Sequence, residues 1–268
     1  MGLFIGDALG APNEFIRPEK IEKRITQMVG GGVLDCDIGE WTDDGAMAMA
    51  IAEAYLIKGR FAPDEIADNF ISWRKTGRFG TRDHVFDAGR TCTTSIARMT
   101  TSLPYAGSTD PSASGNGSIM RVAPIVLFNH HNRDAAVAQS VAVSLMTHGN
   151  ADTVNYITAF VSELYAGEKL AVNDRLRGYN GRAYGSIMYA YATAWECVHN
   201  NTCFKHAVED AINRGNDADT VGAVTGMLAG RVYGFKDIPK RWLRDLMMTE
   251  TLQRTAEKLY SMGDLYAS

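Results

Sequence analysis

The chain has 268 residues, 46% of them apolar, enough to bury a substantial core and near the upper size of one compact unit. Its 27 basic and 31 acidic residues give a net charge of −4 without any basic run that could track a nucleic-acid backbone, which argues against general nucleic-acid binding. Cys36, Cys92, Cys197 and Cys203 show no CxxC pair and no zinc-finger spacing, which argues against a disulfide framework or structural zinc and fits a reducing cytosol.

No linker or internal repeat divides the chain, so one domain over residues 1–268 is expected. The start, MGLFIGDALG, has no basic leader region, and no segment is long and apolar enough to span a bilayer. A cytoplasmic monomer that does not engage membranes is the expectation. Within this start, Gly6 to Glu14 (GDALGAPNE) sets acids among small and apolar residues, which reads plainly as a helix end followed by a Pro turn.

Trp41-Thr42-Asp43-Asp44 stands directly before the helix-forming run AMAMAIAEAYLIK. Capping explains such a start by itself: a Thr or Asp accepts an orphan backbone N–H, and first-turn acids suit the helix dipole. Next, Pro63 and Asp64 open a stretch in which Ile66, Phe70 and Trp73 keep helical spacing, with Gly77 placed as a C-cap. Asp87, in FDAGRT, falls near a predicted helix boundary.

Residues 101–117 are rich in Ser, Gly, Pro and Thr and read as a long loop ending in SGNGSIMR. Gly115, Asn116, Gly117 and Ser118 offer backbone N–H groups before a predicted helix, a geometry able to cradle a diphosphate, although a plain turn explains Gly-Asn-Gly equally well. Helices are predicted around Val137, Val141 and Leu145 before Gly149, around Val154, Ile157, Val161 and Leu164 before Gly167, and around Phe204, Val208 and Ile212 before Gly215. His148 lies beside the first of these ends. The Asn-Gly pairs at Asn116 and Asn180 join no alternating runs, so hairpins are not predicted and the fold class is all-α.

Asn216-Asp217-Ala218-Asp219-Thr220 repeats the two-carboxylate, one-hydroxyl pattern at the start of a helix whose Gly222, Gly226 and Gly230 share one face. Those glycines would let another backbone approach closely and mark a central helix. If the two acidic helix starts meet, four carboxylates share a small volume and repel unless cations intervene. An oxygen-only donor set favours hard ions such as Mg²⁺, Mn²⁺ or Ca²⁺ over zinc.

In order, GDALGAPNEF, WTDDGAMA, FDAG, GNGSIMRVAP, TH and GNDADTVGAVTGMLAG resemble the motifs of the ADP-ribosylglycohydrolase family, spread over residues 6–230. The resemblance implies an orthogonal all-α bundle and a hydrolase that cleaves ADP-ribose from an acceptor by means of two divalent cations, Mg²⁺ or Mn²⁺. By the same resemblance, Thr42, Asp43, Asp44, Asp217, Asp219 and Thr220 map onto the metal ligands. Gly115 to Ser118 map onto the diphosphate-binding segment, His148 onto a ligand-lining histidine and Asp87 onto a proposed acid/base. Cleavage at the ribose anomeric carbon passes through an oxocarbenium-like transition state, which needs leaving-group protonation and a delivered water.

Three departures stand out. Gly45 replaces the second threonine of the family's TDDT, removing a hydroxyl near the metals, while Arg90 and Arg182 place cations at the expected rim. A cationic rim would disfavour an arginine-linked substrate and favour an anionic one, with Arg90 as a substrate contact. Two alternatives compete with the hydrolase: a catalytically impaired protein that binds ADP-ribose as a sensor or to neutralise an ADP-ribosyltransferase, and a carboxylate-metal phosphohydrolase.

Overall fold

The computed structural model describes residues 1–166 and 184–266. Gly167, Asn180 and Arg182 lie outside them. Twelve α-helices follow one another among the described residues: α1 (Gly2–Gly10), α2 (Asp43–Lys58), α3 (Pro63–Thr76), α4 (Arg90–Arg98), α5 (Ala123–Phe128), α6 (Arg133–Leu145), α7 (Ala151–Leu164), α8 (Ile187–Asn200), α9 (Phe204–Ile212), α10 (Ala218–Tyr233), α11 (Lys240–Asp245) and α12 (Thr249–Tyr266). No strand occurs among these residues, only isolated bridges such as Ser108 with His148 and Gly115 with Ser186. The all-α expectation holds, and none of these helices is long and apolar enough to cross a membrane.

Local punctuation sets most boundaries. Pro63 opens α3 and Gly77 closes it at φ 70°, while Gly59 closes α2 at φ 66°, both in the left-handed region that glycine enters without a Cβ penalty. One predicted end fails. The helix expected to run to Gly149 stops at Leu145, and the Gly149 N–H donates to the Ser108 carbonyl at 2.8 Å instead of capping a helix. A bridge between Ser108 and His148 holds this corner, so the long loop captures the chain where spacing alone predicted another turn of helix.

The centre is the pair α1 and α10. A Cβ at Gly6 would overlap the Gly222 carbonyl, one at Gly2 the Gly226 carbonyl, and one at Gly10 the Ala218 carbonyl. The glycine face predicted on α10 is therefore a backbone-to-backbone seam with a matching glycine face on α1. Gly230 takes no part in it; a Cβ there would meet only the Phe204 ring, at 4.0 Å. This close approach brings residues 7–14 against the starts of both α2 and α10, and α8 and α9 pack on the outer side of α10. Trp41, Trp73 and Trp242 are fully buried around this centre.

Candidate functional site

The acidic starts of α2 and α10 meet. The Thr42 hydroxyl donates to Asp219 Oδ2 at 3.1 Å, and the Thr220 hydroxyl donates to Asp44 Oδ2 at 3.3 Å, a reciprocal exchange across 176 or 177 residues. Neither Thr42 nor Asp217, the N-cap residues, makes a side-chain capping bond to its own helix. Two acids from the first segment cap the helices instead. Asp7 on α1 accepts the backbone N–H of Thr42 at 2.9 Å and of Gly45 at 2.9 Å, and Glu14 accepts that of Ala218 at 2.6 Å. With these donors taken from outside, Thr42, Asp43, Asp44, Asp217 and Thr220 face one another, and Asp219 divides its carboxylate, Oδ1 accepting the Thr220 N–H at 2.7 Å and Oδ2 the Thr42 hydroxyl.

A cavity of about 250 Å³ opens over this cluster, lined by Glu14, Asp43, Asp87, Asp217, Asp219 and Thr220 on its acidic side. Carboxylate oxygens of Glu14, Asp217 and Asp219 lie within 4.8 Å of one another, as do those of Asp43, Asp87 and Asp219. Asp219 belongs to both groups. Asp87 sits in the irregular run before α4, half-buried; Gly89, not Asp87, is the N-cap of that helix. Arg90 is its first residue, exposed at the cavity lining.

Burial and mutual repulsion act in one direction on these acids. Burial, then Asp219, raises Glu14 far above the carboxylate range, and the two side chains share a hydrogen bond. Asp43 is raised well above normal by burial and then by Asp87 and Asp219, Asp44 by burial and then by Asp219 and Asp7, and Asp219 by burial and Asp217. Burial also raises Asp217, pushes Asp7 up to about 7, and pushes Asp87 up to about 6. Asp44 Oδ1 is buried with no hydrogen-bond partner.

The opposite wall is the Gly115–Gly117 segment and His148. One residue of this segment is pinned: the Asn116 N–H donates to the Gly185 carbonyl at 3.1 Å, and its side-chain amide donates to Asp217 Oδ2 at 2.9 Å. A 3₁₀ turn, Ile119–Arg121, follows it where a helix was predicted. Gly117 is needed for contact, since a Cβ there would lie 2.6 Å from Cys92 Sγ and 3.1 Å from His148 Cε1. Ser118 is buried, and its hydroxyl has no partner.

Arg121, fully buried, donates to the Val143 carbonyl at 3.2 Å and to Thr147 Oγ1 at 2.7 Å, and its guanidinium lies 4.8 Å from the Phe70 ring centre. Thr147 Oγ1 is 2.8 Å from His148 Nδ1. Arginine only donates, so the threonine accepts from it and passes its single proton to Nδ1, which assigns the imidazole hydrogen to Nε2. Burial and the Arg121 charge push His148 down to about 3, so the ring is a neutral donor.

Asp7, Glu14, Arg121 and Thr147 had no assigned role in the sequence. The first two lay in the flagged GDALGAPNE stretch, and Arg121 and Thr147 in SIMR and MTHGN. Gly45 also changes meaning. A Cβ there would point at Trp41, 2.5 Å from Cε3, and at Phe4, whose rings pack edge-on with centroids 5.3 Å apart. The missing threonine is thus replaced by aromatic packing, and its Cβ direction leads to these rings.

Metal-free, this site sets a pH dependence. A carboxyl raised from 3.8 to about 7 or 6 keeps its proton in the folded chain where the unfolded chain has released it, so stability falls as pH rises from about 4 to 7. His148, lowered to about 3, acts oppositely below pH 6.5, and the buried Met1 amine, lowered to about 6, does so between pH 6 and 8, but these are two groups against seven acids raised together. Urea unfolding in excess chelator should therefore show a less stable protein at pH 8 than at pH 5, with Mg²⁺ restoring stability at pH 8 by binding the folded state. Equal stability at both pH values in chelator would contradict the repulsion.

The ADP-ribosylglycohydrolase family model matches residues 1–267. ADP-ribosylarginine hydrolase Tri1 of Serratia proteamaculans (strain 568) is 30% identical over 98% of this chain and 78% of its own length. ADP-ribosyl-[dinitrogen reductase] glycohydrolase of Rhodospirillum rubrum is 28% identical over 99% of this chain and 95% of its own. A solved structure described as an ADP-ribosylglycohydrolase-related protein complex superposes with a TM-score of 0.83 at 30% identity, covering 98% of this chain and 95% of that one.

Proposed function

The chain belongs to the ADP-ribosylglycohydrolase family, and from that premise we propose that it is a metal-dependent hydrolase releasing ADP-ribose from an arginine side chain. The observation that carries this reading is the reciprocal Thr42–Asp219 and Thr220–Asp44 exchange in a basin of carboxylates. These residues fit a pair of hard cations: the donors are all oxygen, Asp44 Oδ1 is buried without a partner, and the crowded acids need positive charge. Thr42, Asp43, Asp44, Asp217, Asp219 and Thr220 would hold the pair, with Glu14 adjoining. When bound, Mg²⁺ or Mn²⁺ would offset this charge, hold ribose hydroxyls and lower the pKa of water.

The chain's own groups do the rest. A cavity of about 250 Å³ is just below the roughly 300 Å³ of ordinary ligand pockets, so it takes the ribose end of ADP-ribose while the remainder leaves past Gly115–Gly117. His148 offers its Nε2 hydrogen to an anionic oxygen there without carrying a charge. Asp87, at the mouth, handles the proton. The acceptor is read as arginine because relatives such as the Serratia hydrolase carry that name and a guanidinium would sit beside Asp87. Arg90 opposes it with one positive charge against five acids in the same lining. Since the site draws on residues 7, 14, 42–45, 87–90, 115–117, 148 and 217–220, no cut within that range leaves it whole, and the chain is read as one domain.

The test supplies an ADP-ribosylarginine peptide with Mg²⁺ or Mn²⁺, or with excess chelator, and measures free ADP-ribose. Catalytic release with metal and none in chelator is expected. Stoichiometric binding without turnover, phosphate without ADP-ribose, or full activity in chelator would each overturn the reading.

A further inference from the structure

We propose a second cation site, for one Zn²⁺-class ion, formed by His130, His131 and Asp264, none of which lines the acidic cavity. His130 Nε2 lies 3.1 Å and His131 Nε2 2.8 Å from the same oxygen, Asp264 Oδ1. Two imidazoles from the turn after α5 thus converge on one carboxylate from α12, with all three ligand atoms within 4.8 Å of one another.

The proton inventory asks for a cation between them. His130 Nδ1 is 3.0 Å from the Leu127 carbonyl, which can only accept, so Nδ1 carries the hydrogen. In the neutral ring, Nε2 then presents a lone pair. It faces Asp264, which the His131 contact holds below the usual carboxylate range and which therefore has only lone pairs to offer. Lone pair against lone pair at 3.1 Å repels unless something positive joins them. His131 can meet the carboxylate as a neutral Nε2–H donor, but a proton on His130 Nε2, added to the one on Nδ1, would make that ring an imidazolium with its centroid 3.8 Å from the His131 ring. A metal ion instead uses the lone pairs of all three groups at once.

The surroundings fit that choice. An Nδ1–H bonded to a backbone carbonyl is the support that metal-ligating histidines use to fix ring and tautomer. Two imidazoles and a carboxylate suit Zn²⁺, in contrast to the oxygen-only donors of the acidic cavity. His130 is mostly buried, at 15% exposure, stacked on Tyr260 with centroids 3.9 Å apart. His131 and Asp264 are each 50% exposed, which leaves an entry path and room for water ligands. The backbones approach closely as well: a Cβ at Gly263 would overlap the Phe128 carbonyl. An ion here ties the C-terminal helix to the α5 turn.

The experiment titrates Zn²⁺ by calorimetry into the full chain, with saturating Mg²⁺ to occupy the acidic cavity, and repeats it for His131→Ala and Asp264→Asn. Circular dichroism verifies that the variants fold. One Zn²⁺ per chain is expected in the parent, weakened about tenfold or more in each variant, with a Zn²⁺-induced rise in melting temperature that the variants lose. Both side chains lie outside the hydrolytic machinery, so ADP-ribose release stays unchanged and the outcome is independent of the function proposed above. No zinc binding in the parent, or equal binding in both variants, overturns the site and leaves a proton as the bridging cation.

Discussion

Replacing Asp219 by asparagine is expected to cut ADP-ribose release by more than about a thousandfold, because positioning and proton chemistry are lost together. The same change should make the metal-free protein more stable. Asp219 is the one carboxylate common to both acidic groups, and it accepts the Thr42 hydroxyl that links α2 to α10. Asparagine keeps the size and one acceptor while deleting a negative charge that Asp217 and burial already disfavour. In excess chelator at pH 8 the variant should melt above the parent, and added Mg²⁺ should raise its melting temperature less. Paired readouts separate a broken site from a broken fold. Lower stability in chelator would mean that Asp219 supports the helix junction itself, and near-parent rates would remove it from the metal set.

How much of this was legible depends on what kind of physics each feature uses. Helix boundaries written in backbone chemistry were readable, as at Pro63 and Gly77, because proline and glycine act through their own φ angles. The end near His148 was not, since a long-range bridge to Ser108 competes with helical spacing and leaves no local mark. The seam of α1 and α10 was half legible. The glycines of α10 announced a close approach, but the partner stripe Gly2, Gly6 and Gly10 has meaning only once the two helices are paired.

The acidic site follows the same division. Carboxylates at two helix starts were visible, yet their local chemistry is that of caps, and the sequence does not say that Asp7 and Glu14 take over the capping from 35 and 204 residues away. That substitution of roles turns two ordinary helix starts into a basin of acids. In sequence, the Gly-Asn-Gly segment fits a cradle of backbone donors and a plain turn equally well. Packing makes it rigid: Gly117 is there for the Cys92 and His148 contacts, and Asn116 spends both its backbone and side-chain donors on protein acceptors.

Changing Asp87 to asparagine should lower turnover by about 10²–10⁴-fold, the range for a lost general acid or base, with affinity for free ADP-ribose nearly unchanged. The direction of its proton transfer follows from the proposed substrate. An arginine-linked guanidinium is already protonated at neutral pH, so when its C–N bond breaks the electron pair leaves with a neutral guanidine and no enzymic acid is required. What remains is the proton of the attacking water, and a base must be ionised to take it. Burial lifts Asp87 to about 6 before any cation enters, and a nearby cation can only lower it, so the carboxylate form prevails at pH 7.5. Its half-buried position in the cavity lining, within reach of Asp43 and Asp219 oxygens, leaves one face open to water and substrate. Single-turnover release at pH 7.5 and equilibrium binding of ADP-ribose check the two halves separately. Turnover within tenfold of the parent, or affinity lost in step with turnover, would transfer the base role to another carboxylate, with Glu14 next in line by position and held back by its far stronger grip on a proton.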